Sequence, residues 1–496
     1  MPRLDTIYSF GPFTLESSGR RLLREGEDVP VSDRQFDVLA ALIAHRGEAI
    51  SKDALIAAAW PGIAVTDNSL EQIISELRRL LGDTPKRPKY IQTVPRRGYR
   101  FVAEVTETRR EERLEPAALD ALLAPYRAWI EGRAALETLE RDAVARAGET
   151  FAAAVAQAPG YAPGHLGLAN ACLMRFESTR ADAAPDTDVL LKADHHAREA
   201  CRLDAQSGEA WATLAFVMNR TGMGLQAIAA ARRAVTLEPE NWRHHLRLAY
   251  VSWGEERLRS AHRTLTLFPE SPLARFLAAT VHIARQAFDV AVQELEAGAA
   301  AQDLQAGVHG AFGAVGLHWL LGLVHLSRGD RDAAIARFQR ELGFESTGQL
   351  YARECTANTW YALGATHLLH QEVDQAVVAF REALARVPGH PLALVGLAAA
   401  LRVSGEDDPA NRTDTTAAEV IEALAARLPV EAAVATAITR SLAYHQKDAV
   451  AHLEIALRDA PINSAGWTIP VEPLLQALRQ EPSFDQVLAR LRARAA

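Results

Sequence analysis

The sequence is poor in lysine, cysteine and aromatic residues. Only five of its 54 basic residues are lysine, and its three cysteines include no CxxC pair. So few cysteines argue against a disulfide framework and favour a reducing compartment, so we expect a cytoplasmic protein. The shortage of lysine beside abundant alanine indicates a bacterial genome rich in G and C.

The sequence also lacks a recognisable leader or membrane span. Its amino terminus enters a strand pattern directly, without the apolar segment of a signal peptide. The stretch from Leu304 to Ser327 contains no Asp, Glu, Lys or Arg, but its histidines and glycines make it weakly hydrophobic for a span. We expect a buried helix there and no membrane partner.

Motifs for catalysis, cofactors and metals are missing as well. There is no phosphate-binding glycine loop and no GxSxG nucleophile motif, so we expect neither an enzyme nor a cofactor. Histidines occur in groups that suggest a metal site, at His195-His196, at His244-His245 and at His367 with His370. They do not have recognised ligand spacing, and packing inside helices explains them, so we predict no metal.

The charge is divided unevenly along the chain. The net charge is -8, yet the first 105 residues carry a small positive excess and the remainder is acidic. A chain of 496 residues should form more than one domain. The acidic remainder is therefore not expected to be a second nucleic-acid surface.

The segment from Thr66 to Asp83 predicts one amphipathic helix. Its apolar residues recur at helical spacing and form one stripe: Leu70, Ile73, Ile74, Leu77 and Leu81. Asp67 or Asn68 begins the helix, and Gly82 stands where a left-handed terminator belongs. The face opposite the stripe carries Asn68, Gln72, Ser75, Glu76 and Arg79, with Glu71 and Arg78 beside it. Such side chains address base edges or phosphates, although a solvated helix face has the same pattern.

The next segment predicts a basic hairpin. Strand-forming residues run from Tyr90 to Val94 and from Tyr99 to Val102, and Pro95 and Gly98 bracket a turn that holds Arg96 and Arg97. No acidic residue interrupts the cluster Lys86, Arg87, Lys89, Arg96, Arg97 and Arg100. An arginine at such a turn fits a narrow minor groove, where the negative potential is strongest.

The residues before this helix complete a small α+β domain. Short apolar stretches alternate with turns from Ile7 to Val31, which indicates an antiparallel sheet. Ser32 with Gln35 predicts a capping box for a first helix, and Ser51 caps a second helix that ends at Trp60. The resulting order is sheet, three helices and hairpin, which is a winged helix-turn-helix.

Three stretches of this domain carry a family resemblance: FDVLAALIAHRGEAISKDALIAAAWPG, VTDNSLEQIISELRRLLGD and YIQTVPRRGYRFVAEV. Together they resemble the OmpR/PhoB-type winged-helix DNA-binding domain, especially that of ToxR- and CadC-like regulators. The resemblance implies that Asn68 to Leu81 is the recognition helix and that Val94 to Arg100 is the wing. The implied DNA contacts fall on Asn68, Gln72, Ser75, Glu76 and Arg78, with a phosphate contact at Trp60 and a wing arginine at Arg97.

One departure from the family concerns the centre of that helix. Members often carry arginines where Ser75 and Glu76 stand here, so the target sequence and the affinity do not carry over. The residues that we predict to bind DNA are Trp60, Asn68, Gln72, Ser75, Glu76, Arg78, Arg79, Arg96 and Arg97.

The rest of the chain predicts an array of helical repeats. Trp360, Gly364, Phe380 and Pro388 lie at the offsets of a repeat of roughly 34 residues, and the unit that begins at Trp211 keeps the same offsets. This pattern resembles the tetratricopeptide repeat from about residue 128 to 463, with about eight or nine units. Small residues let paired helices approach, and aromatic residues fill the gaps.

Together these patterns predict a multidomain protein: a winged-helix domain at 1–105, a charged linker at 106–120 and an all-α tetratricopeptide-repeat solenoid at 121–496 with terminal capping helices. We interpret it as a DNA-binding transcriptional regulator without a preceding receiver domain. The concave surface of the solenoid would bind a protein or peptide, receive a signal, or join two copies of the chain. The alternative is a repeat scaffold whose winged helix contacts protein instead of DNA.

Overall fold

The structure is a computed structural model. It describes residues 5–17, 19–60, 67–110, 116–137, 141–182, 185–305, 314–347, 349–461 and 466–496. The chain divides into two compact units, Met1–Asp120 and Ala121–Ala496. The first is a small α+β domain and the second is all-α, as the sequence predicts.

The first and the last strand of the first unit belong to one antiparallel sheet. Its strands are β1 (Asp5–Phe10), β2 (Phe13–Glu16), β3 (Arg21–Arg24), β4 (Glu27–Val29) and β8 (Thr106–Arg110), in the order β4-β3-β2-β1-β8. A second sheet contains β5 (Ala49–Ile50), β6 (Ile91–Val94) and β7 (Gly98–Phe101), in the order β5-β7-β6. Three helices follow β4 in the sequence: α1 (Asp33–Ala44), α2 (Lys52–Ala59) and α3 (Asp67–Leu81), with β5 between α1 and α2.

Local sequence explains where these helices begin. Ser32 accepts a hydrogen bond from the backbone of Gln35, and the Gln35 side chain accepts one from the backbone of Ser32, which is the predicted capping box. The Ser51 hydroxyl accepts a hydrogen bond from the backbone of Ala54 at the start of α2. Apolar residues of all three helices share one core with Phe10, Tyr99 and Phe101.

The predicted boundary at residue 105 is wrong. Thr106–Arg110 pairs antiparallel with β1, with Tyr8 opposite Glu107, and Arg46 forms a 3.2 Å ion pair with Glu107. Alternation of threonine with charged residues resembles a linker in sequence, but it also suits a strand that covers the open edge of β1. The residues from 116 to 120 belong to a helix, and residues 111–115 lie outside the described part of the chain.

The second unit consists of consecutive helices: α4 (Pro116–Glu137, which begins in the first unit), α5 (Arg141–Gln157), α6 (Ala162–Thr179), α7 (Thr187–Leu203), α8 (Gly208–Arg220), α9 (Gly224–Leu237), α10 (Trp242–Val251), α11 (Gly254–Leu267), α12 (Pro272–Ala284), α13 (Phe288–Gln305), α14 (Leu317–Ser327), α15 (Arg331–Leu342), α16 (Ala352–Leu369), α17 (Val373–Arg386), α18 (Pro391–Val403), α19 (Asp407–Ala425), α20 (Pro429–Leu442), α21 (Gln446–Asp459) and α22 (Phe484–Arg494). Short 3₁₀ helices occur at Glu345–Thr347, Ile469–Val471 and Pro473–Gln480. Within the described ranges, none of these helices combines the length and the apolar character that a bilayer span requires.

Helix pairs from α4 to α21 repeat along the unit, and glycine sets the distance within a pair. A Cβ atom built on Gly322 in α14 would lie 2.5 Å from the ring of Phe338 in α15. Gly364 in α16 has the same relation to Phe380 in α17, at 2.7 Å. Only glycine lets the two helices approach this closely, which is the packing predicted from the repeat offsets.

The C-terminal segment covers part of the repeat surface. Residues 466–496 pack on α21 and on α12, α14, α16 and α20, the last four each being the first helix of its pair. Val471 joins the core around Leu321 and Phe338. The guanidinium of Arg285 donates a hydrogen bond to the carbonyl of Ala495 at 2.9 Å. The chain itself therefore covers part of the surface formed by these helices.

Candidate nucleic-acid interface

Helix α3 presents one buried face and one exposed face. Leu70, Ile74, Leu77 and Leu81 are buried in the core of the first unit, whereas Gln72, Ser75 and Arg79 are exposed. Gly82 ends the helix with a φ of 66°, the predicted left-handed terminator. The side chain of Asn68, another predicted contact, lies outside the described part of the structure. Three predicted residues thus share the accessible face.

Glu76 is half-buried, and its carboxylate forms hydrogen bonds within the protein. Its carboxylate accepts a 2.7 Å hydrogen bond from the amide of Gln35 and a 3.3 Å hydrogen bond from the amide of Gln72. Gln35 is also the residue that caps α1. Glu76 therefore connects α3 to the start of α1, a role that its place on the polar face of the helix did not suggest.

Arg78 holds α3 against the hairpin. Its guanidinium donates to the carbonyl of Ile91 at 3.0 Å and to the hydroxyl of Thr93 at 2.8 Å, both in β6. Arg78 is half-buried, whereas the neighbouring Arg79 is exposed and has no carboxylate partner in the described residues. These bonds give Arg78 a positioning role between α3 and β6, its DNA contact stays a prediction, and Arg79 is accessible.

Asp83 determines how the chain passes from α3 to the hairpin. One carboxylate oxygen accepts from the backbone N–H groups of Thr84 (2.9 Å) and Lys89 (2.7 Å). The other oxygen accepts from those of Tyr90 (3.1 Å) and Ile91 (2.8 Å). Asp83 is buried, and these four bonds fix the basic loop between α3 and β6. Sequence reasoning missed this residue, because its partners are backbone groups.

The hairpin of β6 and β7 forms the wing. Thr93 pairs with Tyr99 and Val94 with Gly98, so the turn contains Pro95, Arg96 and Arg97. Arg96 has a φ of 61°, and both arginine side chains are exposed. Gly98 is required on two grounds: its φ is 108°, and a Cβ atom there would lie 2.0 Å from the carbonyl oxygen of Ile50. The turn therefore exposes two arginines above a base where Gly98 packs closely against Ile50.

Trp60 does not fit its predicted role. Its side chain is only 3% exposed, it packs in the core of the first unit, and the guanidinium of Arg34 lies 5.3 Å from its ring centroid. Its Nε1 is buried and lacks a hydrogen-bond partner in the described residues. A phosphate has no access to this nitrogen, so we remove Trp60 from the interface.

Positive charge remains uncompensated around α3 and the wing. The exposed cations are Arg79, Lys86, Arg87, Lys89, Arg96 and Arg97, and within the described ranges none of them forms an ion pair. Since the chain as a whole has a net charge of -8, this concentration of free cations is local. Such cations can bind the phosphates of a polyanion while the exposed polar face of the helix enters its groove.

Comparisons with known proteins agree with this geometry. Residues 26–101 match the family described as transcriptional regulatory protein, C terminal. The transcriptional activator CadC of Escherichia coli (strain K12) is 36% identical over 107 residues, which are 21% of this chain and 21% of that protein. The cholera toxin transcriptional activator of Vibrio cholerae is 35% identical over 101 residues, which are 20% of this chain and 34% of that protein.

A solved structure is similar over a part of the chain of about the same length. The Klebsiella pneumoniae RstA DNA-binding domain, determined in complex with the RstA box, has 35% sequence identity and a TM-score of 0.18. The similarity covers 19% of this chain and 96% of that chain. This chain thus matches nearly the whole of one isolated domain but only about a fifth and a third of the two curated relatives.

Proposed function

Since residues 26–101 are a winged-helix domain of the OmpR/PhoB type, we propose that the protein regulates transcription by binding promoter DNA. Helix α3 enters the major groove, and the wing enters the adjacent minor groove. The observation that carries this proposal is the free positive charge around the exposed face of α3, on a chain that is otherwise acidic. The relatives named above are described as transcriptional activators, which supports the same role.

Each contact has its own expected chemistry. Gln72 and Ser75 lie on the exposed face of α3 and address base edges, together with Asn68 at the start of the helix. Arg79 contacts a phosphate, and Arg97 enters the minor groove beside Arg96. Glu76 and Arg78 act indirectly, because their hydrogen bonds hold α3 against α1 and β6.

Selection of DNA fragments bound by the full chain, followed by titration of the best site, tests the proposal. Arg97→Ala should weaken binding by ~1–3 kcal/mol, as loss of a good base contact does. Arg46→Ala is the matched control, since this arginine pairs with Glu107 in the same unit. If the full chain selects no DNA sequence and the Arg97 variant is indistinguishable from the control, the scaffold alternative replaces this proposal.

The helical unit supplies regulation in this scheme. We propose that it binds a protein or peptide, or a second copy of the chain, in the bacterial cytoplasm, and that it performs no catalysis. Its free cysteines, Cys172, Cys201 and Cys355, support a reducing compartment. Since residues 466–496 cover the first helices of several pairs, the surface offered to a partner lies outside that segment.

A further inference from the structure

Three side chains of the helical unit meet although they come from three helices. They are His262 in α11, His282 in α12 and Glu294 in α13, and one potential ligand atom of each lies within 4.8 Å of the other two. Helix α11 closes one helix pair, and α12 and α13 form the next. The cluster therefore lies across the junction of two repeats.

The distances are close to those of a metal site. The Nε2 of His262 lies 3.4 Å from an oxygen of Glu294. Zinc bonds of about 2.0–2.2 Å in a tetrahedral arrangement place neighbouring donor atoms about 3.4 Å apart. All three potential donor atoms lie within 4.8 Å of one another, and the His262 side chain, at 49% exposed, has room to adjust its position when a metal binds.

His282 and Glu294, the half-buried members of the cluster, each have a donor atom available for a ligand. The Nε2 of His282 is buried and has no hydrogen-bond partner in the described residues. Buried polar nitrogens normally have one, so this atom is free for another partner. Glu294 is only 13% exposed, and Arg275 donates to its second oxygen at 2.8 Å. That contact orients the carboxylate and leaves the oxygen that faces His262 available.

The neighbouring charges do not block the site. Arg285 adjoins His282, but its guanidinium is held by Glu255 at 3.0 Å and by the carbonyl of Ala495 at 2.9 Å. Arg275 is neutralised by Glu294 itself. A divalent cation would add charge beside two arginines that already have acceptors.

We propose that His262, His282 and Glu294 bind a divalent transition metal of the Zn²⁺ class. Two imidazoles with one carboxylate suit Zn²⁺ rather than Mg²⁺ or Ca²⁺, which prefer sets of oxygen ligands. Three protein ligands leave a fourth position for water. The metal joins α11 to α12 and α13, and so fixes the angle between two repeats. This differs from the absence of metal predicted from sequence, because the ligands are not a local motif.

Isothermal titration of the full chain with ZnCl₂, after dialysis against a chelator and its removal, tests the site. We expect one strong equivalent of zinc per chain. His262→Gln should lower its affinity at least tenfold, because loss even of a group that only orients a ligand costs that much. His262 is exposed, so this variant keeps the fold. His445→Gln, at another exposed histidine, is the matched control and should bind as the wild type does.

Cobalt gives a second readout that reports geometry. Co²⁺ in a tetrahedral site of nitrogen and oxygen ligands absorbs visible light strongly, and zinc should abolish that band by displacement. Glu294→Gln should lose both the band and the strong equivalent. Retention of the strong equivalent by both the His262 and the Glu294 variants would overturn the proposal. Neither outcome depends on DNA binding, so the two proposals fail separately.

Discussion

Asp83 shows how one buried carboxylate shapes a surface that it does not itself form. It accepts from four backbone N–H groups between Thr84 and Ile91, and the loop that it fixes carries Lys86, Arg87 and Lys89. The cations can therefore point outward while the chain beneath them is held in one conformation.

Replacement of Asp83 should consequently loosen the loop. Asp83→Ala removes the acceptor for four N–H groups, and we expect a loss of roughly 2–4 kcal/mol in the free energy of unfolding of the first unit. Urea denaturation measures this loss, and hydrogen exchange at Lys89 to Ile91 should accelerate in parallel. Glu104→Ala, at an exposed carboxylate of the same unit, is the control. Equal stability of the two variants would contradict this role.

Glu472 is a second buried carboxylate, and its effect should depend on pH. Burial raises its pKa from 4.5 to about 7, although the Tyr361 hydroxyl and the backbone of Leu474 both donate to it. Because the pKa is higher in the folded state than in the unfolded state, the neutral form favours folding. Stability of the helical unit should therefore fall as the pH rises from about 4.5 to about 7, by up to about 3 kcal/mol.

Glu472→Gln isolates this effect, since glutamine keeps the acceptor oxygen and cannot ionise. The variant should unfold like the wild type near pH 4.5 and should be more stable than it at pH 8. Denaturation curves at both pH values measure the difference. Glu419→Gln, at an exposed position on α19, should follow the wild type throughout. Parallel behaviour of the Glu472 variant and the wild type across this range would refute the assignment.

At the scale of elements, the candidate DNA interface consists of helix α3 and the hairpin of β6 and β7, which Arg78 joins by hydrogen bonds. The bonds from its guanidinium to Ile91 and Thr93 set the angle between α3 and β6, while Arg79 one residue later remains open to solvent. The two adjacent arginines of this helix thus differ in role: Arg78 positions the hairpin, whereas Arg79 is accessible to DNA. Substituting each in turn therefore compares the loss of positioning with the loss of a contact.

Alanine substitution should separate the two arginines. Arg78→Ala should lower both the stability of the first unit and its affinity for DNA, because the hairpin loses its attachment. Arg79→Ala should leave stability unchanged and reduce the slope of log affinity against log salt by about 1, as loss of one phosphate contact does. Thermal denaturation together with titrations at several salt concentrations distinguishes them. Similar stability of both variants would show that Arg78 does not position the wing.

Elements governed by local signals could be predicted from the sequence. The capping box of Ser32 with Gln35, the terminator Gly82 and the close pair of Gly322 with Phe338 all follow from neighbouring residues or fixed offsets. The strand Thr106–Arg110 could not, because its pairing depends on an open edge about a hundred residues earlier. The roles of Asp83 and Arg78 could not be predicted for a related reason. Asp83 bonds to backbone groups, and Arg78 bonds to residues of a strand outside its own helix.

At the scale of the molecule, two compact units carry different charge and different architecture. The first has its own core around Phe10, Leu39 and Phe101, and the second continues as an acidic array of helix pairs. Because its net charge is negative, we expect the array to add no favourable DNA contact and to influence binding through association. Two copies joined by their helical units would bring two winged helices to one DNA molecule.

The number of sites on the DNA should then decide the affinity of the full chain. The fragment 1–120 should bind single and tandem sites with the same affinity per site, because each winged helix acts alone. The full chain should bind tandem sites more tightly, since association of the helical units raises the effective concentration at the second site. Titration of both proteins on both DNAs, with light scattering on each, measures this difference. A monomeric full chain that matches the fragment on tandem sites would leave the helical unit without a part in DNA binding, and its partner would have to be a different protein.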